Sequence, residues 1–234
     1  VIWSPATSNG LPATARRASV FFRTLRLTPL LRAFTRSWSM AATVMPRPIA
    51  WVVSQDREGR LNAAPYSFFN AMGSDPPTIA IGIQSDTGRG FKDTADNIHA
   101  TGEFVVNLVT EAMAPAMNIT ALDAPAGMNE LEIAGLDTLP STQIKPPRIK
   151  GSPVSFECVL HSSIVTGPYQ TVVIGRVKAV HIEDRFVLDT ERAHIDTPAL
   201  QLVGRSYGST YVRAQDTFEM ARPKWETWTG KGKS

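Results

Sequence analysis

The chain has 234 residues, of which 43% are apolar, with one cysteine (Cys158) and four scattered histidines (His99, His161, His181 and His194). That is enough for one domain of ordinary to large size with a sizeable core. It excludes an intrachain disulfide, and with no CxxC, HxxxH or HExxH spacing a protein-bound metal is not expected. The net charge of +3 is unevenly spread.

Residues 1–39 hold six arginines and no Asp, Glu or Lys, which leaves 18 basic against 21 acidic residues in the rest, a net charge of −3. The basic balance belongs to the leader and not to the body, which argues against a nucleic-acid partner. Arg-rich, Ser/Thr-containing and acid-free, the leader fits an organellar transit peptide. An upstream segment translated ahead of a start at Met40 would look the same. The expected location is cytoplasmic, or mitochondrial if the leader is a real transit peptide. No run approaches the eighteen or so apolar residues of a membrane span, so a membrane partner is not expected.

In the body, Ile49 to Ser54 reads as an apolar strand, "QDREGR" as a turn and the chain after it as a second strand. Pro77 to Ser85 is another strand. "GRGFKDTADNIHATG" predicts a glycine-rich connection and a helix, capped by Asp93 or Thr94 and ended by Gly102. "EFVVNLVT" is a strand, "EAMAPAMNITAL" a short Pro-interrupted helix, and "NELEIAGL" a second short helix ended by Gly135. "KPPRIKGSP" is a loop. Long β signals follow in "VSFECVLHSSIVT", "QTVVIGRVKAVHIED" and "RFVLD". Many strands with few helices between them predict an antiparallel sheet, closed or partly closed into a barrel. The tail 224–234 is expected to be a flexible end.

No nucleophile elbow, Walker loop or GxGxxG follows a strand. An enzyme built this way needs a bound cofactor to carry its reactivity. Two stretches suit one. "NAAPYSFFNAMGSDPP" combines prolines, short polar groups at Ser67 and Asn70, and rings at Tyr66, Phe68 and Phe69. It reads either as a pocket wall or as an aromatic corner that plugs a barrel end. "TGRGFKDTADNI" places Lys92, Asp93 and Thr94 at a helix start, which suits a phosphate or, equally, a plain capped helix with a surface lysine. Asp93 would repel an anion and is read as a cap or as an orienter of Lys92. Cys158 and Trp51 read as core residues, His181 as a surface residue near a strand end, and His99 as an exposed helical one.

Together these segments resemble the flavin reductase-like proteins, the FMN-binding split-barrel family, over roughly Val44 to Pro223. The resemblance rests on "PRPIAWVVSQDREGRLNAAPYSFFNAMGSDPP" and "KDTADNIHATGEFVVNL", with support from "SPVSFECVL", "VVIGRVKAVHI" and "FEMARP". It implies a mainly β fold with added helices, a six-stranded antiparallel split β-barrel of Greek-key type spanning 40–223. It also implies a homodimer with FMN in a cleft near the subunit interface. On that likeness Ser67, Phe68 and Asn70 contact the flavin or its ribityl chain. Lys92 and Thr94 bind the phosphate with Asp93 nearby, and Arg47 and Tyr66 flank the site. Tyr207 and Tyr211 are candidates to complete the pocket. No catalytic side chain is implied. The expected activity passes hydride from NAD(P)H to the flavin and electrons onward to a small-molecule or flavin acceptor; a non-catalytic FMN carrier or sensor is the alternative. A nucleic-acid or oligosaccharide-binding barrel, with the rings as stacking platforms, is the rival from a different class.

Overall fold

The computed structural model describes residues 40–84, 90–225 and 228. The Arg-rich leader, residues 85–89 of the predicted glycine-rich connection and most of the tail lie outside the described residues.

Strand β1 (Arg47–Pro48) is short and leads into β2 (Ala50–Gln55), which is buried on both faces. Side chains along a strand alternate between faces, so β2 must stand between two cores. Ala50 and Val52 face one of them, Trp51 and Val53 the other. The hairpin to β3 (Leu61–Tyr66) turns on Asp56, whose Oδ1 accepts from the backbone N–H of Glu58 (3.0 Å) and Arg60 (2.9 Å). This is the local side-chain bonding that makes Asp a turn residue.

Next come β4 (Phe69–Ser74), β5 (Pro77–Gln84) and β6 (Glu103–Asn107). A small ladder of β7 (Thr138–Leu139) and β8 (Arg148–Ile149) precedes the long hairpin of β9 (Val154–Gly167) and β10 (Gln170–Ile182). The chain closes with β11 (Val187–Asp189), β12 (His194–Ile195), β13 (Val203–Arg205) and β14 (Tyr211–Arg213). Seven strands form one antiparallel sheet in the order β3-β2-β6-β9-β10-β5-β4, and β1, β13 and β14 form a second, three-stranded one.

The two edges of the large sheet, β3 and β4, are joined by Ser67 and Phe68 alone. Three Cα steps reach at most about 11 Å, whereas six strand spacings of a flat sheet span about 29 Å. The sheet therefore curls until its edges meet, and the result is a barrel with a seam at Ser67–Phe68. Phe68 extends the β4–β5 ladder by one residue up to that seam: its carbonyl accepts from Gly82 N at 2.7 Å. This is the split barrel that the sequence predicts, with seven strands in place of six. Phe69–Ser74, part of the stretch read as a pocket wall or a barrel plug, pairs along β5 as an edge strand.

The barrel interior holds Tyr66, Ile79, Ile81, Ile83, Phe104, Val106, Cys158 and Val173. A fully buried side chain of this size contributes about 1.5–3 kcal/mol. Gly175 is required there, because a Cβ on it would lie 2.5 Å from Phe104 Cζ. Helix α1 (Asp93–Thr101) closes one end of the barrel with Ala95 and Ile98 and stops at Gly102, which takes a left-handed φ of 73°. Its N-cap is Lys92, not Asp93 or Thr94, and no side chain caps it. The two expected caps are used elsewhere: Thr94 bonds to Asn62 and Asp93 to Gly127.

Helix α2 (Ala114–Ile119) carries Pro115 in its first turn, so the proline starts the helix and does not interrupt it. Helix α3 (Glu130–Ile133) is capped by Asn129, whose Oδ1 accepts from Leu131 N at 3.1 Å. Met117 of α2 and Leu131 of α3 cover the outer face of β2, and the Trp51 indole N–H donates to Thr120 Oγ1 at 2.9 Å. Residues 216–224 form neither helix nor strand, and Phe218 there is 83% exposed.

Candidate functional site

The seam and the start of α1 bring the predicted site residues into two neighbourhoods joined by the chain 66–70. At the seam, Arg47 is only 6% exposed. Its guanidinium donates to the carbonyls of Val44 (2.7 Å), Ser206 (2.8 Å) and Ala41, and to Ser67 Oγ at 3.4 Å. Its charge centre lies 5.9 Å from the centre of the Phe68 ring. No carboxylate pairs with it among the described residues. Burial, and then the positive charge of Arg205, hold its pKa below the usual arginine range. Arg47 therefore fastens 41–48 to β13 and the loop after it.

The two phenylalanines face opposite ways. Phe69 packs on the barrel interior, while Phe68 lies half-buried over Gly82, where an added Cβ would come 3.0 Å from the Phe68 Cβ. Asn70 is exposed, and its Oδ1 accepts from the next backbone N–H at 2.8 Å. Tyr207 is exposed and joins the seam through its neighbour Ser206, while its own carbonyl accepts from Thr210. Tyr211 lies under the Arg205 guanidinium at 4.6 Å.

Beside the start of α1 is a cleft of about 430 Å³. Lys92 stands exposed at its mouth and pairs with no described residue. The first N–H groups of α1, on Asp93 and Thr94, have no capping side chain. Asp93 does not orient Lys92: its Oδ2 accepts from Gly127 N at 3.1 Å and ties down the facing loop. Thr94, 1% exposed, donates to Asn62 Oδ1 at 2.5 Å. Asn62 Nδ2 donates to Glu130 Oε2 at 3.0 Å, and Ala63 N donates to the same oxygen at 3.0 Å. Tyr66 completes this cluster from the barrel side, its hydroxyl buried behind Thr94 without a well-formed hydrogen bond.

Burial pushes the Glu130 carboxyl above its ordinary value, partly offset by the N–H groups of Ala63 and Asn62. Burial likewise raises the Tyr66 hydroxyl. Asn62, Glu130 and the loop 120–126 are not among the site residues expected from the sequence. Asn62 opens the quoted motif, but nothing in "NELEI" marks Glu130 as its partner 68 residues away.

Charge and shape thus divide the labour. The seam offers a half-buried ring with short polar groups, and the α1 start offers a cation with no partner among the described residues beside backbone donors without a side-chain cap. Such a pair of surfaces suits a ligand with a planar ring at one end and an anion at the other.

The chain belongs to the flavin reductase-like family: the family model, described as a flavin reductase like domain, matches residues 40–226. An uncharacterised protein of Deinococcus radiodurans is 40% identical over 194 residues, covering 81% of this chain and 85% of its own. Among solved structures, nitrilotriacetate monooxygenase component B from Bacillus cereus is 32% identical with a TM-score of 0.78, the match covering 86% of this chain and 100% of that one. The 2-nitrobenzoate 2-nitroreductase of Pseudomonas fluorescens is 35% identical with a TM-score of 0.78, covering 86% of this chain and 98% of its own. The protein is thus a flavin reductase-like oxidoreductase with the split-barrel fold. No helix among the described residues is long and apolar enough to cross a membrane.

Proposed function

We propose that the protein binds FMN and carries reducing equivalents from NAD(P)H to a small-molecule or flavin acceptor. The observation that carries this reading is the start of α1, where Lys92 has no partner among the described residues and the first N–H groups have no side-chain cap. A phosphate monoester meets both needs, since cations and helix N-termini favour anions. The residues present fit the group. Lys92 and the N–H groups of Asp93 and Thr94 would hold the phosphate. Ser67, Phe68 and Asn70 would border the ribityl chain and ring, with Tyr207 at the margin. Arg47 and Tyr66 support these surfaces from behind, and Asp93 fixes the loop opposite Lys92. A bound flavin supplies the hydride-accepting and electron-donating chemistry, so no side chain need act as acid or base.

The acceptor is assigned only by class, because the two relatives named for their chemistry differ: one is a monooxygenase component, the other a nitroreductase. A homodimer is part of the proposal. Met72 on the edge strand and Phe218, Met220 and Trp225 near the C-terminus are all at least 60% exposed, and they are apolar side chains that a second copy would cover. Sedimentation at two protein concentrations tests it, and a monomer at both removes the dimer.

The main test is the absorbance spectrum of the purified protein with FMN, followed by anaerobic titration with NADH and NADPH. A shifted flavin band that bleaches on titration supports the reductase. Binding without bleaching converts the assignment to a carrier or sensor. No spectral or fluorescence change on adding FMN overturns both.

A further inference from the structure

We infer that Glu130 is a positioning residue for the phosphate end of the flavin site, acting through Asn62 and Thr94 without touching the ligand. The inference rests on the FMN reading above and deepens it.

The argument is one of hydrogen-bond direction. A carboxylate only accepts, so Asn62 must turn its NH₂ toward Glu130, and its carbonyl oxygen then faces Thr94. That oxygen also only accepts, so the Thr94 hydroxyl must spend its one proton on Asn62. Thr94 therefore has no proton left for a phosphate oxygen. What it offers the ligand is its backbone N–H, on a helix start held in place from below. The sole group that could bond further to the Thr94 hydroxyl is a donor, and the buried Tyr66 hydroxyl stands behind it.

Burial makes the chain of bonds consequential. Glu130 is 7% exposed and no Lys or Arg among the described residues pairs with it. Its anchors are Asn62 Nδ2 and Ala63 N, both of β3, the strand that leads into the seam. One carboxylate thus ties β3 and the start of α1 together. Without it the Asn62 amide is free to rotate, the Thr94 tie loses its fixed polarity, and the helix start is no longer set against the cleft.

The test uses FMN and riboflavin, which differ only in the phosphate, with affinities from flavin fluorescence and folding checked by circular dichroism. Glu130→Ala is expected to lose about tenfold in FMN affinity while riboflavin affinity stays within about twofold. Glu130→Gln presents an amide oxygen to the same two N–H groups and recovers most of the loss. Asn62→Asp, which keeps the size but cannot donate to Glu130, reproduces the phosphate-selective loss and serves if Glu130→Ala does not fold. Equal losses for both flavins mean a purely structural role and overturn the inference, as does unchanged FMN affinity in the alanine variant. A wild type that binds FMN no better than riboflavin overturns it too. A wild type that binds neither overturns the FMN reading along with it.

Discussion

Arg47 and Lys92 are both cations in the residues first assigned to the site, and the fold treats them oppositely. Arg47 is buried, and it spends its guanidinium on three carbonyls and a hydroxyl. Lys92 is exposed and spends its charge on no described residue. The difference follows from chemistry. A buried charge must be met by hydrogen bonds, and a planar five-donor group can fasten several backbone segments at once. A lysine at a helix start gains nothing from the helix dipole, whose positive end it faces. Its placement there is better explained by a ligand than by stability.

Arg47→Ala should have the largest effect and would break the comparison if it did not. It strands the buried Ser206 carbonyl and releases the ties to Ala41, Val44 and Ser67, and a bond left unmade in a buried place costs about 1–3 kcal/mol. The expected loss is about 3–5 kcal/mol in urea unfolding. A loss of flavin binding with stability intact would instead make Arg47 a ligand contact. Lys92→Ala should show the reverse pattern. A charge-assisted bond is worth about 1.5–3 kcal/mol, so FMN affinity falls by about tenfold or more. Stability should stay within about 0.5 kcal/mol, as for most surface changes.

Gly175→Ala separates both neighbourhoods from the barrel beneath them. Its new methyl would press on Phe104 Cζ, Phe104 Cε1 and Ile79 Cγ1. Overpacking of this kind costs about 1–3 kcal/mol, read as a lowered unfolding midpoint. Flavin affinity per folded molecule should hold, because the site lies on the seam and not in the interior.

Much of this was legible in the sequence. The strands at 50–55, 77–84, 103–107 and 154–182 follow from β-branched alternation, and Gly102 ends its helix where it was expected. Cys158 and Trp51 are core residues as read, and His99 is exposed on α1. What escaped is long-range polar pairing. The cap of α1 was misjudged because Thr94 and Asp93 have partners 32 and 34 residues away. His181 was read as a surface residue, yet it is half-buried against Glu157. Glu130 and Glu157 carry no local signature, since a buried carboxylate is defined by the groups that fold around it. Local pattern specifies elements; it does not say which polar groups will meet between them.

The two buried carboxylates give the last and smallest test, and it extends the contrast between committed and offered groups. Burial works against ionisation of Glu157, but N–H bonds from Thr142 (2.7 Å) and Gln143 (2.6 Å) and the bond to His181 Nε2 (2.5 Å) outweigh it, and its pKa lies below the ordinary 4.5. Glu130 has fewer partners, and burial leaves its pKa above 4.5. The signs of their pH dependence are therefore opposite. Native Glu130 holds its proton more tightly than the unfolded chain does. Its contribution is fully present below the ordinary value and is lost as pH rises through the raised one. Native Glu157 holds its proton less tightly, so its contribution is present above the ordinary value and is lost as pH falls through the lowered one. Urea midpoints from about pH 7 down to about pH 3 for wild type, Glu130→Gln and Glu157→Gln would separate them. Wild type should gain on Glu130→Gln as the solution is acidified toward the ordinary value, and should lose its lead over Glu157→Gln below it. Parallel curves for the two variants would mean that both carboxylates are equally satisfied. Glu130 would then be one more fully committed group, and Lys92 would stand alone as the feature that sets the cleft apart from the seam.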